Sequence, residues 1–350
     1  MFLMVNKIFL HATYNCNADC VHCAVPKAKN VISKENFNRI VNMARKENTE
    51  YLVIGGGEPM MHPNILNMVE YAADNGLKVK IETNGMLLNK EKLERLSKSI
   101  FQINISMDGI DSKTHNKIRR VDAFNNAIEV IKYARQLGID VAIWSVIMKE
   151  NANEAVEIIS LAKNLGVNKV SFLYATPVGA GYRNRDKILI DPSKYYEMFK
   201  AIKSTSSDMQ IRIAPYTIPF DKIKEFEKEY MSEIGNANCM IYDKSIIHID
   251  PDGNIFPCVL LLHRKEFSMG NVANNNELSR ILRGEDNKWA MILQHLDNYK
   301  ANANKEGYKE AGCIGLCLAS NTKVDERLRQ GLPICPSKTI TKEWEFKDKK

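Results

Sequence analysis

Short apolar runs alternate with segments of helical period from residue 5 to about residue 175, and this alternation limits the fold more than any other feature. Each run has the length of a strand and is rich in β-branched or aromatic residues. The strand candidates are 7–13, 51–55, 78–83, 101–106, 140–148 and 169–175. Strands that alternate with helices form parallel sheets with the helices outside. The sequence therefore predicts six βα units in an α/β fold, either an open sheet or a partial (β/α)6 barrel of the TIM type.

The rhythm changes near residue 176, where a loop precedes a more irregular, cysteine-bearing region. Within that region the turn residues PDGN at 251–254 predict a hairpin over 245–258. We expect a barrel core, a helical and strand connection, a small α+β domain that carries cysteines, and a charged tail. Their predicted limits are 1–190, 191–235, 236–341 and 342–350.

Charge and hydropathy exclude several classes of function. The net charge of +7 is spread along the chain without a basic stripe interleaved with aromatic residues, so no nucleic-acid partner is expected. The longest apolar runs, such as 141–148, are much shorter than the roughly 18 to 20 residues of a membrane span, so no membrane partner is expected. The N-terminal residues lack the pattern of a signal peptide. We therefore predict a cytoplasmic protein, in which eight cysteines indicate metal binding better than disulfides.

Three cysteines, Cys16, Cys20 and Cys23, follow the first predicted strand directly in a C-x3-C-x2-C arrangement. Three thiolates on one tight loop can hold three irons of a 4Fe-4S cube and leave the fourth iron open. The alternative is a zinc site in which His22 or His11 completes the four ligands that structural zinc prefers.

Three further loops follow predicted strands, with the sequences GGGEPMMHP at 55–63, ETNG at 82–85 and SMDG at 106–109. In α/β arrays, ligands bind outside the carboxyl ends of parallel strands. Four loops, including the cysteine loop, therefore converge on one rim. The GAGYR segment after the sixth strand falls on the same rim, where its glycines either admit a ligand or form a plain loop.

These motifs together resemble the radical S-adenosylmethionine (radical SAM) superfamily over roughly residues 5–180. The resemblance implies that the cysteine loop binds a 4Fe-4S cluster and that the amino and carboxylate groups of S-adenosylmethionine chelate its open iron. It also implies that the cleaved cofactor gives a 5′-deoxyadenosyl radical, which abstracts hydrogen from a substrate.

The resemblance further assigns residues to the cofactor. The GGE motif, Gly56, Gly57 and Glu58, is similar to the one that receives the methionine amino group. The backbone of His22 helps to hold the adenine, and Asn84 of ETNG is also placed among the cofactor-binding residues. Ser106 and Asp108 resemble residues that line the methionine and ribose end. Either Arg119 or Arg120 is expected to pair with the methionine carboxylate.

Five more cysteines occupy the C-terminal region and resemble the auxiliary-cluster domains known as SPASM and twitch. They are Cys239, Cys258, Cys313, Cys317 and Cys335. Five thiols are enough for one cluster but not for two, since each cluster takes about four. The first choice of ligands is Cys239, Cys258, Cys317 and Cys335. Cys313 is then a fifth ligand, a buried thiol or a hydrogen-atom donor, and a zinc ribbon is the alternative for the whole region.

Enzymes with such C-terminal domains mostly modify ribosomally made peptides, so we expect a peptide substrate that is crosslinked, epimerised or oxidised. Val259 stands where sulfatase-maturing relatives carry an acidic base, which disfavours formylglycine formation. Only 15 residues precede Cys16, so a separate partner is expected to bind a leader peptide. An external reductant of the flavodoxin or ferredoxin type is also expected.

Two other classes of function stay open from the sequence alone. One is a radical SAM dehydrogenase, epimerase or cofactor-maturation enzyme that acts on a small molecule. The other is a non-catalytic zinc or iron–sulfur binding protein.

Overall fold

The structure is a computed structural model, and it describes residues 5–205, 209–213, 241 and 244–294. Its strands, β1 to β10 in chain order, belong to one sheet. They are Lys7–Thr13, Tyr51–Gly56, Lys78–Thr83, Gln102–Ser106, Val141–Ile147, Lys169–Tyr174, Gln210–Ile213, Ile246–Ile249, Asn254–Phe256 and Gly270–Asn271. The first six lie within a residue or two of the strands that the sequence predicts.

Helices fill the connections between the strands and are named α1 to α10 in chain order. They are Lys34–Lys46, Ile65–Asp74, Lys90–Leu96, Ser112–Arg119, Phe124–Gln136, Ala155–Asn164, Ala180–Arg183, Arg185–Ile188, Pro192–Ser204 and Asn275–Leu282. Ser33 caps α1, because its side chain accepts a hydrogen bond from the backbone N–H of Asn36. None of the helices in the described ranges is long and apolar enough to cross a membrane.

The sheet has the strand order β10-β9-β8-β1-β2-β3-β4-β5-β6-β7. Each neighbouring pair from β1 to β7 is parallel, so the carboxyl ends of these strands meet at one edge. The prediction of successive βα units in a partial barrel is confirmed. The loops that follow β1 to β4 therefore share one rim.

The two faces of the sheet differ in polarity. On the outer face, alternate residues such as Ile8, Leu52 and Ile103 are fully buried in the core that the helices cover. Each aliphatic side chain buried in this way contributes roughly 1.5–3 kcal/mol. The alternate positions on the same strands, among them His11 and Asn104, face inward because side chains along a strand point to opposite sides. This inner face therefore carries buried polar side chains.

The predicted hairpin at 245–258 is present as β8 and β9, which pair antiparallel. In addition, β8 pairs in parallel with β1, from Lys7 opposite Ile246 to Leu10 opposite Ile249. The hairpin thus extends the barrel sheet. The predicted limits of the cysteine-bearing domain stay a prediction.

Candidate active site

The cysteine loop begins where β1 ends and lies in backbone contact with the loop after β2. Gly57 donates its N–H to the carbonyl of Thr13 at 2.7 Å, and Glu58 donates to the carbonyl of Asn15 at 2.8 Å. A Cβ atom on Gly57 would lie 2.2 Å from the Asn15 carbonyl oxygen, and one on Gly56 would lie 2.3 Å from that of Thr13. Gly56 also has a φ of +120°, which other residues rarely adopt. The two glycines are therefore required for the loops to meet.

Glu58 joins three loops of the rim. Its Oε1 atom accepts hydrogen bonds from Thr83 Oγ1 at 2.6 Å and from the Met60 N–H at 3.0 Å. Its Oε2 atom accepts from the Asn84 N–H at 2.8 Å, and the Asn84 side chain donates to Asn17 Oδ1 in the cysteine loop. Burial raises the pKa of Glu58, although these hydrogen bonds oppose the rise. The carboxyl group thus fixes the loop after β3 to the loop after β2.

Sequence reasoning missed Thr83 and Asn17, which complete this network. Both stand beside residues that the motifs singled out, since Thr83 precedes Asn84 and Asn17 follows Cys16. A short polar side chain next to a predicted site residue on the rim is the sequence signal that could have identified them.

A buried ion pair supports the other side of the cysteine loop. Asp108 accepts a hydrogen bond from the Val146 N–H at 2.8 Å, and its Oδ2 atom lies 2.8 Å from Arg119 Nη2. Arg119 Nη1 is 4.0 Å from Cys20 Sγ, and His22 Nε2 is 3.9 Å from Asp108 Oδ2. The Nε atom of Arg119 is buried and has no hydrogen-bond partner among the described residues. The arginine therefore brings a positive charge and an unused donor to the cysteines.

Burial dominates the protonation of this side of the site. It raises the pKa of Cys20 to about 11, although the Arg119 charge opposes the rise, and it lowers the pKa of His22 to about 4. Burial also acts to raise the pKa of Asp108, but Arg119, two histidines and the hydrogen bond from Val146 together more than offset it, so that pKa lies below its usual value. At neutral pH the free thiol of Cys20 therefore keeps its proton, which a metal must displace when it binds.

The remaining predicted residues lie in different settings. Ser106 ends β4, is half-buried and pairs in register with Trp144 on the inner face. Arg120 has a left-handed φ of 55° after α4, and its guanidinium donates to the exposed Asp19 carboxylate at 3.3 Å. Of the two arginines, Arg119 is thus on the buried side and Arg120 on the surface.

The GAGYR segment supports the far end of the cysteine loop. It forms α7, where the Ala180 N–H donates to the Cys23 carbonyl at 2.8 Å. A Cβ atom on Gly179 would lie 2.6 Å from that same carbonyl oxygen. From the C-terminal region, His263 Nε2 lies 2.6 Å from the Ala24 carbonyl oxygen. The loop is therefore held by contacts from several separate elements.

The thiols and their neighbours suit an iron–sulfur cube better than a single zinc ion. In the ranges that the structure describes, no three His, Cys, Asp or Glu side chains converge as ligands of one ion. His22 Nε2 lies 3.9 Å from Asp108 Oδ2, and His11 Nε2 lies 3.3 Å from His248 Nδ1, so each of these nitrogens faces a group other than the three thiols. Three thiols on one loop can instead each hold a different iron.

Among the C-terminal cysteines, Cys258 is buried just after β9. The other four, Cys239, Cys313, Cys317 and Cys335, lie outside the described residues.

Comparison with known proteins matches both parts of the chain to family models. The radical SAM superfamily model matches residues 10–162, which contain the cysteine loop, the GGE motif and the buried ion pair. A second model, described as SPASM, an iron-sulfur cluster-binding domain, matches residues 239–313.

Two curated proteins are similar to this chain over about three quarters of its length. The chain is 29% identical over 279 residues to the antilisterial bacteriocin subtilosin biosynthesis protein AlbA of Bacillus subtilis. This match covers 76% of this chain and 58% of AlbA. It is 26% identical over 292 residues to the AdoMet-dependent heme synthase of Methanosarcina barkeri, covering 77% of this chain and 82% of that one. The chain thus spans little more than half the length of AlbA.

Among solved structures, Streptococcus suis SuiB bound to the precursor peptide SuiA has the same fold, with a TM-score of 0.67 at 18% identity. The match covers 83% of this chain and 67% of SuiB. By the two family models, residues 10–162 belong to the radical SAM superfamily and residues 239–313 to the SPASM family, so the chain is an enzyme whose cofactors are 4Fe-4S clusters and S-adenosylmethionine.

Proposed function

We propose that this enzyme matures a ribosomally made peptide by a crosslink, an epimerisation or the oxidation of a side chain. The observation that supports a peptide most is the similarity to AlbA over 76% of this chain, because the name of that protein places it in the biosynthesis of a bacteriocin. The fold itself accommodates a precursor peptide in SuiB. We also propose that an external one-electron reductant, of the flavodoxin or ferredoxin type, and a separate leader-binding protein serve the enzyme.

Cys16, Cys20 and Cys23 are the proposed ligands of the first cluster. When bound, this cluster and S-adenosylmethionine supply a carbon-centred radical that abstracts hydrogen from a substrate. The positive charge of Arg119, 4.0 Å from Cys20 Sγ, favours the thiolate form that binds iron. The contacts that hold the loop on both sides keep the thiols at fixed positions without the metal.

The groups that remain unused at the rim fit the charged ends of an amino acid. Glu58 Oε2 accepts one hydrogen bond, from Asn84, so a lone pair is available for the ammonium group of methionine. The unpartnered Nε–H of Arg119 suits the methionine carboxylate. His22 and Ser106 are the proposed neighbours of the adenine and ribose. Asp108 positions Arg119 and His22 for these contacts.

Cys239, Cys258, Cys317 and Cys335 are the proposed ligands of one auxiliary cluster, with Cys313 as a fifth ligand or a hydrogen-atom donor. Cys258 lies at the end of β9, in the hairpin that extends the barrel sheet. This hairpin pairs with β1, the strand that precedes the cysteine loop.

The test uses the cluster-loaded enzyme, dithionite, S-adenosylmethionine and the short peptides encoded beside its gene, each with deuterium on all its Cα and side-chain carbon atoms. We expect deuterium in the 5′-deoxyadenosine and a peptide that has lost a pair of hydrogen atoms or inverted a residue. Cys20→Ala is the inactive control. Cleavage of S-adenosylmethionine without transfer of deuterium from any of these peptides would reject the peptide assignment.

Maturation of a tetrapyrrole is the second candidate, since the heme synthase match covers 82% of that relative. The same assay with an iron porphyrin that carries deuterated propionate side chains separates the two. Transfer of deuterium from the porphyrin alone would favour this second function.

A further inference from the structure

The inner face of the sheet carries polar residues next to one another just below the cofactor rim. Glu82 on β3 is opposite Asn104 on β4, and His11 on β1 is opposite Gly55 on β2. A Cβ atom on Gly55 would lie 3.6 Å from Glu82 Cβ, so these strands bring their inward residues together. Trp144 on β5 stands one pair further along, opposite Ser106. These positions lie on the barrel side of the sheet, away from the helices.

Several atoms on this face are buried without a hydrogen-bond partner in the described part of the chain. They are Asn104 Oδ1, Trp144 Nε1, His11 Nδ1 and His248 Nε2. The side chains of Asn104 and His11 are 3% and 1% exposed. An unsatisfied buried polar group costs about 1–3 kcal/mol, and native proteins carry few. Such atoms on one face are explained if a bound polar ligand satisfies them.

The histidines form a pair that is adaptable but uncharged. His11 Nε2 lies 3.3 Å from His248 Nδ1, and the ring of Phe9 packs against both imidazoles. Burial lowers the pKa of each, that of His248 to about 3, so both rings are neutral at pH 7. In a neutral pair joined by one hydrogen bond, one outer nitrogen donates and the other accepts. The pair can therefore meet either a donor or an acceptor.

The carboxyl group of Glu82, on the same inner face, makes few hydrogen bonds within the described ranges. Its one hydrogen bond within the described ranges comes from Asn104 Nδ2 at 3.5 Å. Burial raises its pKa to about 7, while the charges of Lys7 and Lys80 oppose the rise. Lys80 itself donates to Gln102 Oε1 at 3.1 Å, in the row nearer the start of the strands. Near neutral pH the carboxyl group is thus ready to take a hydrogen bond from an N–H group.

These groups match the two hydrogen-bonding atoms of a peptide group. The N–H of an amide needs an acceptor, which Asn104 Oδ1 and Glu82 offer. Its carbonyl oxygen needs a donor, which Trp144 Nε1 offers. The four unpartnered atoms all belong to uncharged side chains, and an ionised Glu82 beside Asn104 would repel a carboxylate, so a neutral amide suits this face better.

We propose that Asn104, Trp144, Glu82 and the His11–His248 pair form a substrate subsite that binds a backbone or side-chain amide next to the carbon under attack. The subsite rests on the proposed function and specifies its substrate chemistry. None of its residues belongs to the cysteine rim, so its loss leaves the cofactor contacts intact.

The first test compares two buried asparagines. Asn151 is fully satisfied, since it donates to the carbonyls of Asp108 and Val146 and accepts from the Met148 N–H. We expect Asn151→Leu to lower the melting temperature by several degrees. Asn104→Leu removes an unsatisfied group, and we expect its melting temperature to equal or exceed that of the wild type. A fall as large as that of Asn151→Leu would assign Asn104 a purely structural role and overturn the proposal.

The second test detects binding directly in the oxidised, cluster-loaded enzyme with S-adenosylmethionine. The chain has three tryptophans, so ¹⁵N-tryptophan labelling gives three indole N–H signals, and Trp144→Phe identifies that of Trp144. N-methylacetamide is the probe for a peptide group, and propionate is the probe for a carboxylate. We expect N-methylacetamide to shift the Trp144 signal in the wild type, and to shift it at least threefold less in Asn104→Leu. We expect propionate to leave the signal unmoved in both proteins.

Each other outcome opposes the subsite. Equal shifts from both probes, a shift from propionate alone, or no shift from either would overturn it. Reductive cleavage of S-adenosylmethionine without substrate is measured in parallel. We expect Asn104→Leu to cleave S-adenosylmethionine at a rate within twofold of the wild type. If the wild type itself does not cleave S-adenosylmethionine, the cofactor assignment fails. If only the variant loses cleavage, Asn104 acts on the cofactor and the subsite is wrong.

Discussion

Replacement of Gly57 by alanine tests whether contact between the cysteine loop and the GGE loop sets the geometry of the cluster site. The added Cβ would lie 2.2 Å from the Asn15 carbonyl oxygen and 2.7 Å from that of Tyr14. Both are backbone atoms, which cannot turn aside as the end of a flexible side chain does. Gly57 does not have a left-handed φ, so any effect comes from the clash.

The clash moves the loops apart by about an ångström, since ordinary contacts to a Cβ atom begin near 3.4 Å. At that separation the Gly57 to Thr13 and Glu58 to Asn15 hydrogen bonds, now 2.7 and 2.8 Å long, are lost. Each is worth about 1 kcal/mol, so with the strain we expect the free energy of unfolding to fall by about 2–3 kcal/mol. An ångström of misplacement at a reacting site can cost about 100-fold in rate.

The measurements are urea unfolding, iron content after anaerobic reconstitution, and release of 5′-deoxyadenosine under dithionite. Gly138→Ala is the control, because its Cβ would meet nothing within 4 Å although its φ is +76°. We expect that variant to lose about 1 kcal/mol from backbone strain and to keep full cleavage activity. If Gly57→Ala matches Gly138→Ala in stability, iron and activity, contact between the two loops does not set the site.

Further variants test the charges and the second cluster. Arg119→Met leaves the buried Asp108 without its cation, so we expect a loss of about 3–5 kcal/mol in urea unfolding at pH 7, partly restored by Arg119→Lys. Glu82→Gln removes the cost of ionising a carboxyl group whose pKa is raised to about 7. Because the folded state favours the protonated acid, we expect this variant to exceed the wild type by up to about 3 kcal/mol above pH 7, with no difference below about pH 4. Equal stability at pH 8 would contradict this. By chemical assay of iron, we expect Cys258→Ala to lose about four of about eight irons per chain and Cys20→Ala to lose the other four. A variant that keeps all its iron would show that the replaced cysteine is not a ligand.

The strands, the rim and the cysteine loop were predictable because each leaves a local pattern. A run such as 78–83 has the length and composition of a strand wherever it lies, and turn residues such as PDGN specify a hairpin without reference to the rest of the chain. The convergence of four loops on one rim followed from the parallel order of the strands alone. Local periodicity therefore accounts for the scaffold of the site.

Contacts between distant segments left no such pattern. The pairing of β8 with β1 joins residues more than two hundred positions apart, and it brings His248 against His11. Helix α4 was missed because it is short and polar, although one edge of it is buried. That helix delivers Arg119 to Asp108, so only the structure separates Arg119 from Arg120.

The rim and the inner face both retain buried polar atoms without partners in the described ranges, among them Arg119 Nε and Asn104 Oδ1, but the rim also carries a hydrogen-bond network that joins its loops. At the rim, Glu58, Asn84 and Asp108 form hydrogen bonds or ion pairs within the protein, which fixes the loops before any cofactor binds. On the inner face, Asn104 and the histidine pair retain buried atoms without partners in the described ranges. The network at the rim suits the fixed position that a bound cofactor needs. Unsatisfied groups on strand interiors suit the substrate, so we expect the choice between a peptide and a tetrapyrrole to be made by the inner face of β1, β3, β4 and β5.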